Sequence, residues 1–271
     1  MQKINFIKMH GLGNDFVIID NRVNPVEINQ SLIRKISDRK TGAGCDQLIT
    51  INLPKKNEDA KIDIYNPSGD RAEACGNGTR CVAKLLFEEN DKNFVLIESE
   101  AGILKATLKD KENISVNMGK ITNDWNKIPM SHNMDTLNVP IDVKDFSKGI
   151  AVNVGNPHIV FFGKNIDNLN LSKIGPKIEN HIFFPEKTNV EFVKIINSNK
   201  IQMKVWERGA GITLACGSGA CAAVFAGMKK KLLSNQVEVL LSKGTLCIAI
   251  ENDEAIMTGP AEISFFGNIV I

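Results

Sequence analysis

Ala74-Cys75-Gly76-Asn77-Gly78-Thr79-Arg80-Cys81 returns in the second half of the chain as Ala215-Cys216-Gly217-Ser218-Gly219-Ala220-Cys221. The offset is 216 − 75 = 141 residues in a chain of 271, about half its length. Working outward, Gly13-Asn14-Asp15 aligns with Gly155-Asn156-Pro157 (156 − 14 = 142), and Gln47 with Asn189 (189 − 47 = 142). Tyr65-Asn66 aligns with Trp206-Glu207 (207 − 66 = 141), so a single one-residue slip reconciles all four points. Phe16-Val17-Ile18-Ile19 answers Ile159-Val160-Phe161-Phe162. Lys61-Ile62-Asp63-Ile64-Tyr65 answers Gln202-Met203-Lys204-Val205-Trp206, both alternating as half-buried strands do. One Cys-Gly match is coincidence; four ordered matches at near-constant offset read as an internal duplication.

The length suits two domains. The apolar and charged fractions, 43% and 24%, are those of an ordinary globular chain, and a net charge of +2 gives no global pull toward nucleic acid or a membrane. The longest apolar runs, such as Cys221 to Met228, are too short to span a bilayer. Met1 to Met9 alternates polar and apolar residues without a signal-peptide core, so the expected location is cytoplasmic. In that compartment the six cysteines read as free thiols, and their spacings fit no common zinc pattern. No metal constellation is visible.

Ile28 to Asp38 is amphipathic at helical spacing through Ile28, Leu32, Ile33 and Ile36. Val82 to Glu89 and Ala220 to Leu233 continue the two cysteine loops as helices. Phe94 to Ile97, Glu112 to Met118 and Val237 to Ile250 read as strand and turn. Many strands with only two helices per half argue for an α+β fold. The polar stretch Lys120 to Asp135, with Pro129 and no sustained periodicity, reads as the boundary between halves, giving 1–119 and 120–261.

Glycines allow a tight turn and close approach of a ligand to the main chain. The first turn of a helix presents unpaired N–H groups and the positive end of the dipole, an anion site suited to a carboxylate or phosphate. The same field favours a thiolate. The phosphate-loop and dinucleotide fingerprints are missing: His10-Gly11-Leu12-Gly13-Asn14-Asp15 lacks the last glycine. Two such cysteine loops suit a reaction that takes a proton from one face of a carbon and returns one to the other, with Cys75 and Cys216 as the two thiols. Cys81 and Cys221 read as buried small residues on the new helices, and Cys247 as core. His158 and Glu207 lie in repeat-matched segments and read as groups that set the thiols' protonation. His10, His132 and His181 lack that support.

Lys8-Met9-His10-Gly11-Leu12-Gly13-Asn14-Asp15-Phe16, Tyr65-Asn66-Pro67, Ala72 to Cys81, Gly155-Asn156-Pro157-His158, Thr188-Asn189-Val190, Glu207-Arg208-Gly209 and Leu214 to Cys221 together resemble the diaminopimelate epimerase family over nearly the whole chain. The resemblance implies two pseudo-symmetric α+β halves, each a mostly antiparallel sheet wrapped around a central helix, with the active site in the cleft between them. It implies that the last strand, 262–271, returns to the first half. It implies a homodimeric enzyme without a cofactor, interconverting LL- and meso-diaminopimelate for lysine and peptidoglycan precursors, with Cys75 and Cys216 as the acid/base pair. Gly76, Asn77, Gly217 and Ser218 would then hold the reacting carboxylate through backbone N–H groups. Asn14, Gln47, Asn66, Asn156, Asn189, Glu207 and Arg208 would read the rest of the substrate, and His158 and Glu207 would tune the thiols. The chain departs from the family pattern at Ser68-Gly69-Asp70, Ile212, Ser218 and Cys45, none of them a proposed catalytic thiol.

Three other readings stand beside this one. A related two-cysteine racemase would act on proline, hydroxyproline or another amino acid, although Asn66, Asn156, Asn189 and Arg208 argue for a substrate with a second charged end. A thiol redox protein would use Cys75 and Cys216 as a reversible disulfide. A metabolite binder would use the same duplicated cradle without chemistry.

Overall fold

The computed structural model describes residues 3–72 and 75–270. Met1, Gln2, Glu73, Ala74 and Ile271, which include the head of the first cysteine loop, lie outside the described residues. The first half runs β1 (Lys3–Gly11), β2 (Asn14–Asp20), α1 (Gln30–Ser37), β3 (Gln47–Asn52), β4 (Ala60–Tyr65), β5 (Arg71–Ala72), α2 (Gly76–Glu89), β6 (Phe94–Ser99), β7 (Gly102–Leu108) and β8 (Asn113–Lys120). The second half repeats that order: β9 (Ile150–Asn153), β10 (Pro157–Phe162), α3 (Leu171–Glu179), β11 (Asn189–Asn197), β12 (Lys200–Glu207), β13 (Gly211–Ile212), α4 (Gly217–Lys229), β14 (Gln236–Leu241), β15 (Gly244–Glu251) and β16 (Glu254–Pro260). A last strand, β17 (Glu262–Val270), pairs antiparallel with β1.

The pairing repeats as faithfully as the order. β2 lies parallel to β3, and β10 parallel to β11. β4 is parallel to β6 and β12 to β14, while β1–β2, β3–β4, β9–β10 and β11–β12 are antiparallel, as expected for a mostly antiparallel α+β fold. The register locates the one-residue slip. Leu48 faces Tyr65 in the first half and Val190 faces Trp206 in the second, so the slip lies in the hairpin between those strands. There the second half turns tightly behind a bulge at Ile195/Asn197, where the first half has a longer connection. Phe16 pairs with Gln47 as His158 pairs with Asn189. The partner of Phe16 is therefore His158, one residue before the Ile159 that the sequence pattern suggests.

The chain divides into two compact units, residues 1–116 with 259–271, and residues 117–258. The sequence pattern places these boundaries at 119/120 and 261/262. In the first unit Ile4, Phe6, Val17, Ile19, Leu32, Ile33, Ile36 and Leu48 form a core under α1. Asn29 caps that helix by accepting from the Leu32 N–H. In the second unit Phe161 stacks on Phe192, and Phe146 meets Phe192 edge to face. α2 packs on β1, β2, β6 and β7, and α4 on β9, β10, β11 and β15. α4 is buried almost all round from Gly217 to Gly227, which its run of alanines and glycines permits.

The stretch Lys120 to Asp135 lies with the following residues in the second unit, where Ile128, Met130, Val139 and Ile141 join the core. Their spacing is irregular because the segment is irregular, so no period betrays it. Two expectations are corrected. α4 stops at Lys229, short of Leu233, because Lys231 takes a left-handed φ of 58° and the Leu232 N–H turns back to the Gly227 carbonyl. Cys247 is half-buried rather than core, on the face of β15 opposite Leu246, Ile248 and Ile250, and accepts from Gln236 Nε2. Among the described residues no helix is long and apolar enough to cross a membrane.

The buried strap makes a stability prediction. Ile128→Ala should destabilise the protein by about 2–4 kcal/mol in urea unfolding. A loss under about 0.5 kcal/mol would mean the segment is dispensable dressing on the second unit.

Candidate active site

In each unit the topology gathers the singled-out polar residues at one edge of the sheet. β2 and β3 are parallel, so their first residues, Asn14 and Gln47, lie at the same end. β4 runs the other way, which brings Asn66, just past its end, beside Gln47; Gln47 Nε2 donates to Asn66 Oδ1 at 3.1 Å. The second unit repeats this with Asn156 just before β10, Asn189 at the start of β11 and Glu207 at the end of β12.

The helices α2 and α4 begin at those edges. Cys75 and Cys216 are their N-caps, both extended, and neither side chain caps a backbone N–H. The first helical bonds are Thr79 N–H to Cys75 O at 2.8 Å and Ala220 N–H to Cys216 O at 3.0 Å. The N–H groups of Gly76, Asn77, Gly217 and Ser218 precede those bonds, in the first turn where an anion is favoured. Two glycines are required by crowding. A Cβ on Gly78 would come within 2.5 Å of Ile49 Cδ1, and one on Gly219 within 2.8 Å of Glu191 Oε1.

In the first unit the Cys75 thiol lies 3.8 Å from Asn14 Oδ1, which also accepts from Asn77 Nδ2 at 3.1 Å. Asn14 is held from behind, its Nδ2 donating to Asp46 Oδ2 at 3.0 Å. Asp46 and Asp15 share Arg39, and Lys8 pairs with Asp15 at 2.5 Å. Burial pushes the Asp15 carboxyl up, but Arg39 and Lys8 outweigh it and hold it well below the usual carboxylate range. This network fixes Asn14, and none of its charged members was singled out in the sequence. Lys8-to-Asp15 spacing inside a glycine turn was the available signal.

In the second unit Cys216 is 4% exposed and its sulfur lies 3.6 Å from Ser218 Oγ. It also hydrogen-bonds Glu207, whose carboxylate accepts from Thr213 Oγ1. His158 is fully buried. Its Nε2 meets Asn156 Oδ1 at 2.8 Å and its Nδ1 meets Glu191 Oε1 at 2.7 Å. Asn189 spends its amide on the scaffold, donating to the Pro157 carbonyl and accepting from the Arg208 N–H, both at 2.9 Å. The Arg208 guanidinium reaches the Glu186 carbonyl at 3.2 Å. Ile212 is 58% exposed, and the Cys45 thiol is buried against Ser37 Oγ at 3.4 Å.

The protonation pattern corrects one expectation. The helix field was expected to favour a thiolate at each loop. At Cys216 burial, then the neighbouring Glu207 and Glu191 carboxylates, push the thiol well above its ordinary range. Burial likewise raises Glu207, against its hydrogen bonds to Thr213 and Cys216. Glu207 thus touches one thiol directly, and His158 acts on that thiol's carboxylate neighbours. Glu191 was missed in the sequence, although a carboxylate where the first half has Ile49 (191 − 49 = 142) was a visible break in the repeat. Among the described residues no three His, Cys, Asp or Glu side chains gather to hold a metal ion.

Comparison with known proteins adds the family. The model of the family described as diaminopimelate epimerase matches residues 6–123 and 150–264. The diaminopimelate epimerase of Zymomonas mobilis is 43% identical over 265 residues, covering 97% of this chain and 96% of that one. The diaminopimelate epimerase of Pelagibacter ubique is 44% identical over 265 residues, covering 95% of each. Among solved structures, a phenazine biosynthesis protein of the PhzF family from Bacillus anthracis aligns with a TM-score of 0.73 at 15% identity, covering all of both chains. A hydroxyproline epimerase from Agrobacterium vitis, with bound trans-4-hydroxy-L-proline, aligns at 0.72 and 13% identity, covering 99% of this chain and 91% of that one. These structural likenesses show the fold.

The packed thiols set an alkaline limit on stability. Burial pushes Cys81 up to about 12 from an ordinary 9. A folded-state pKa raised above the unfolded one leaves stability intact below pH 9 and erodes it as pH rises toward 12, by about 1.4 kcal/mol per unit. In Cys81→Ala the urea midpoint should fall more slowly above pH 9 than in the parent. Identical alkaline slopes would show that Cys81 ionises freely in the fold.

Proposed function

The chain belongs to the diaminopimelate epimerase family, and on that premise we propose that it interconverts LL- and meso-2,6-diaminopimelate by a two-base exchange between Cys75 and Cys216. As an enzyme it is an isomerase. The observation that carries the mechanism is the pair of repeat-related helices, each headed by a cysteine that leaves the first turn uncapped. One thiolate removes the α-proton and becomes a thiol, while the opposite thiol gives its proton to the other face of the same carbon and becomes a thiolate. No atom is gained or lost, and only the configuration changes.

The α-hydrogen of an amino acid is weakly acidic, so charge developing toward the carboxylate needs a preorganised field. The first-turn N–H groups of Gly76, Asn77, Gly217 and Ser218 supply it without a cofactor. Asn14, Gln47, Asn66 and Asn156 position the remaining polar groups, Asn189 braces the Arg208 backbone, and the Arg208 fork takes the far carboxylate. Cys216, buried beside two carboxylates, is favoured in the protonated form and so is the natural proton donor in one direction, the roles swapping in the other. The reading carries with it a cytoplasmic, homodimeric enzyme of lysine and peptidoglycan-precursor synthesis.

Reduced protein should invert LL-diaminopimelate and leave proline, hydroxyproline and glutamate unchanged, followed by chiral chromatography. Cys75→Ala and Cys216→Ala should each lower inversion by roughly 10³-fold or more. Inversion of proline or hydroxyproline instead would move the substrate to the related racemases. Full inversion by either cysteine variant would end the two-base reading.

A further inference from the structure

The two units repeat in order and register but not in charge. Behind the first cysteine loop the repeat places Phe16, Ile49 and Asn66. At the matching positions the second loop has His158 (158 − 16 = 142), Glu191 (191 − 49 = 142) and Glu207 (207 − 66 = 141). Three titratable groups thus replace two apolar side chains and an amide.

Glu191 is the least expected of them. It sits on β11 with its side chain fully buried, under the first turn of α4. Oε1 is committed to His158 Nδ1, and Oε2 has no hydrogen-bond partner among the described residues. A buried carboxylate is expensive unless its oxygens are satisfied, so an oxygen left over is a concentrated negative charge in a low-dielectric place. The first unit shows that the fold does not need it, since Ile49 fills the same position beneath Gly78.

We propose that Glu191 is a positioning residue of the second cysteine loop: it locks His158 in one orientation and sets a buried negative charge beneath α4, which favours the protonated, proton-donating state of this loop's thiol in an otherwise symmetric pair. The inference deepens the two-thiol reading and rests on it for its catalytic meaning. The titratable groups around Cys216 are Glu207 from β12 and Glu191 from β11, with His158 from β10 behind them; on α4 itself Ser218 is the polar neighbour. Both carboxylates favour the protonated thiol, which burial already favours. The geometry assigns His158 to holding Glu191 and Asn156 in place, since both ring nitrogens are engaged and neither is free to meet the sulfur.

The test is a pH titration of the thiols by NMR in protein carrying 13Cβ-labelled cysteine, with the Cys216 resonance assigned from its loss in Cys216→Ser. In Glu191→Gln the Cys216 midpoint should fall by roughly one pH unit or more while the Cys75 midpoint stays put. The basic limb of the kcat/KM profile should fall with it, and Glu191→Asp should restore most of both. An unchanged Cys216 midpoint in folded Glu191→Gln, or equal shifts at both cysteines, would overturn the proposal. If that variant fails to fold by circular dichroism, the double variant Glu191→Ile with His158→Phe, which copies the first unit, takes its place. Removing a buried ion pair in favour of apolar side chains is often tolerated, and the same fall in midpoint is expected. A wild-type protein that inverts no amino acid, yet shows the Glu191-dependent midpoint, would refute the epimerase reading and leave the electrostatic role of Glu191 standing.

Discussion

A helix whose first turn is left uncapped is the constraint on which the rest of each unit depends. Ordinary N-caps accept from the first-turn N–H groups and so close them to a ligand. Cys75 and Cys216 stand in that position and leave the donors open. Backbone donors without partners are tolerable only if something else satisfies them. The rest of the helix must therefore be held by packing, and α2 and α4 are buried along most of their length. Their burial in turn demands small residues at the contact: Gly78 lies against Ile49, and Gly219 against Glu191. The parallel strand pair then brings Asn14 and Gln47, or Asn156 and Asn189, to the edge where the helix begins.

Strict repetition would give two equivalent loops, and this chain departs from it in the charged side chains around them. In the proposed two-thiol exchange one sulfur holds a proton while the other lacks it, and the two states swap with each inversion. The fold achieves the repetition through backbone register and the inequality through buried side chains. Around Asn14 the charges are drawn into a neutralising network of Lys8, Asp15, Arg39 and Asp46. Around Cys216 two carboxylates press on the thiol itself. The difference costs nothing in topology because every substitution is at a position already buried or at the same sheet edge.

What was legible in the sequence followed from short-range rules. The duplicated loop, the amphipathic spacing of Ile28 to Asp38 and the alternation of Lys61 to Tyr65 each report local geometry; α1 and β4 appear where those rules put them, and a helix follows each loop, starting nearer its cysteine than the spacing suggests. The paired polar residues at the sheet edge were legible because the repeat marked them. What was not legible depended on long-range packing. The irregular strap with Ile128 and Val139 has no period to read. The stop of α4 depends on a left-handed Lys231, a residue with no bias toward that conformation. The rise of the Cys216 thiol needs two carboxylates, one of them, Glu191, brought there by β11. A helix N-terminus alone pointed the other way.

The central claim is that two different sulfurs handle the proton, one on each face of the α-carbon. The most direct measurement is where deuterium appears during the first few per cent of reaction of LL-diaminopimelate in D2O, read by mass spectrometry on the separated isomers. Two unlike thiols predict a meso product deuterated at the inverted carbon and a recovered LL substrate still carrying hydrogen. Deuterium appearing equally in both isomers, or in neither, would mean that a single group carries the proton, and the account would be wrong.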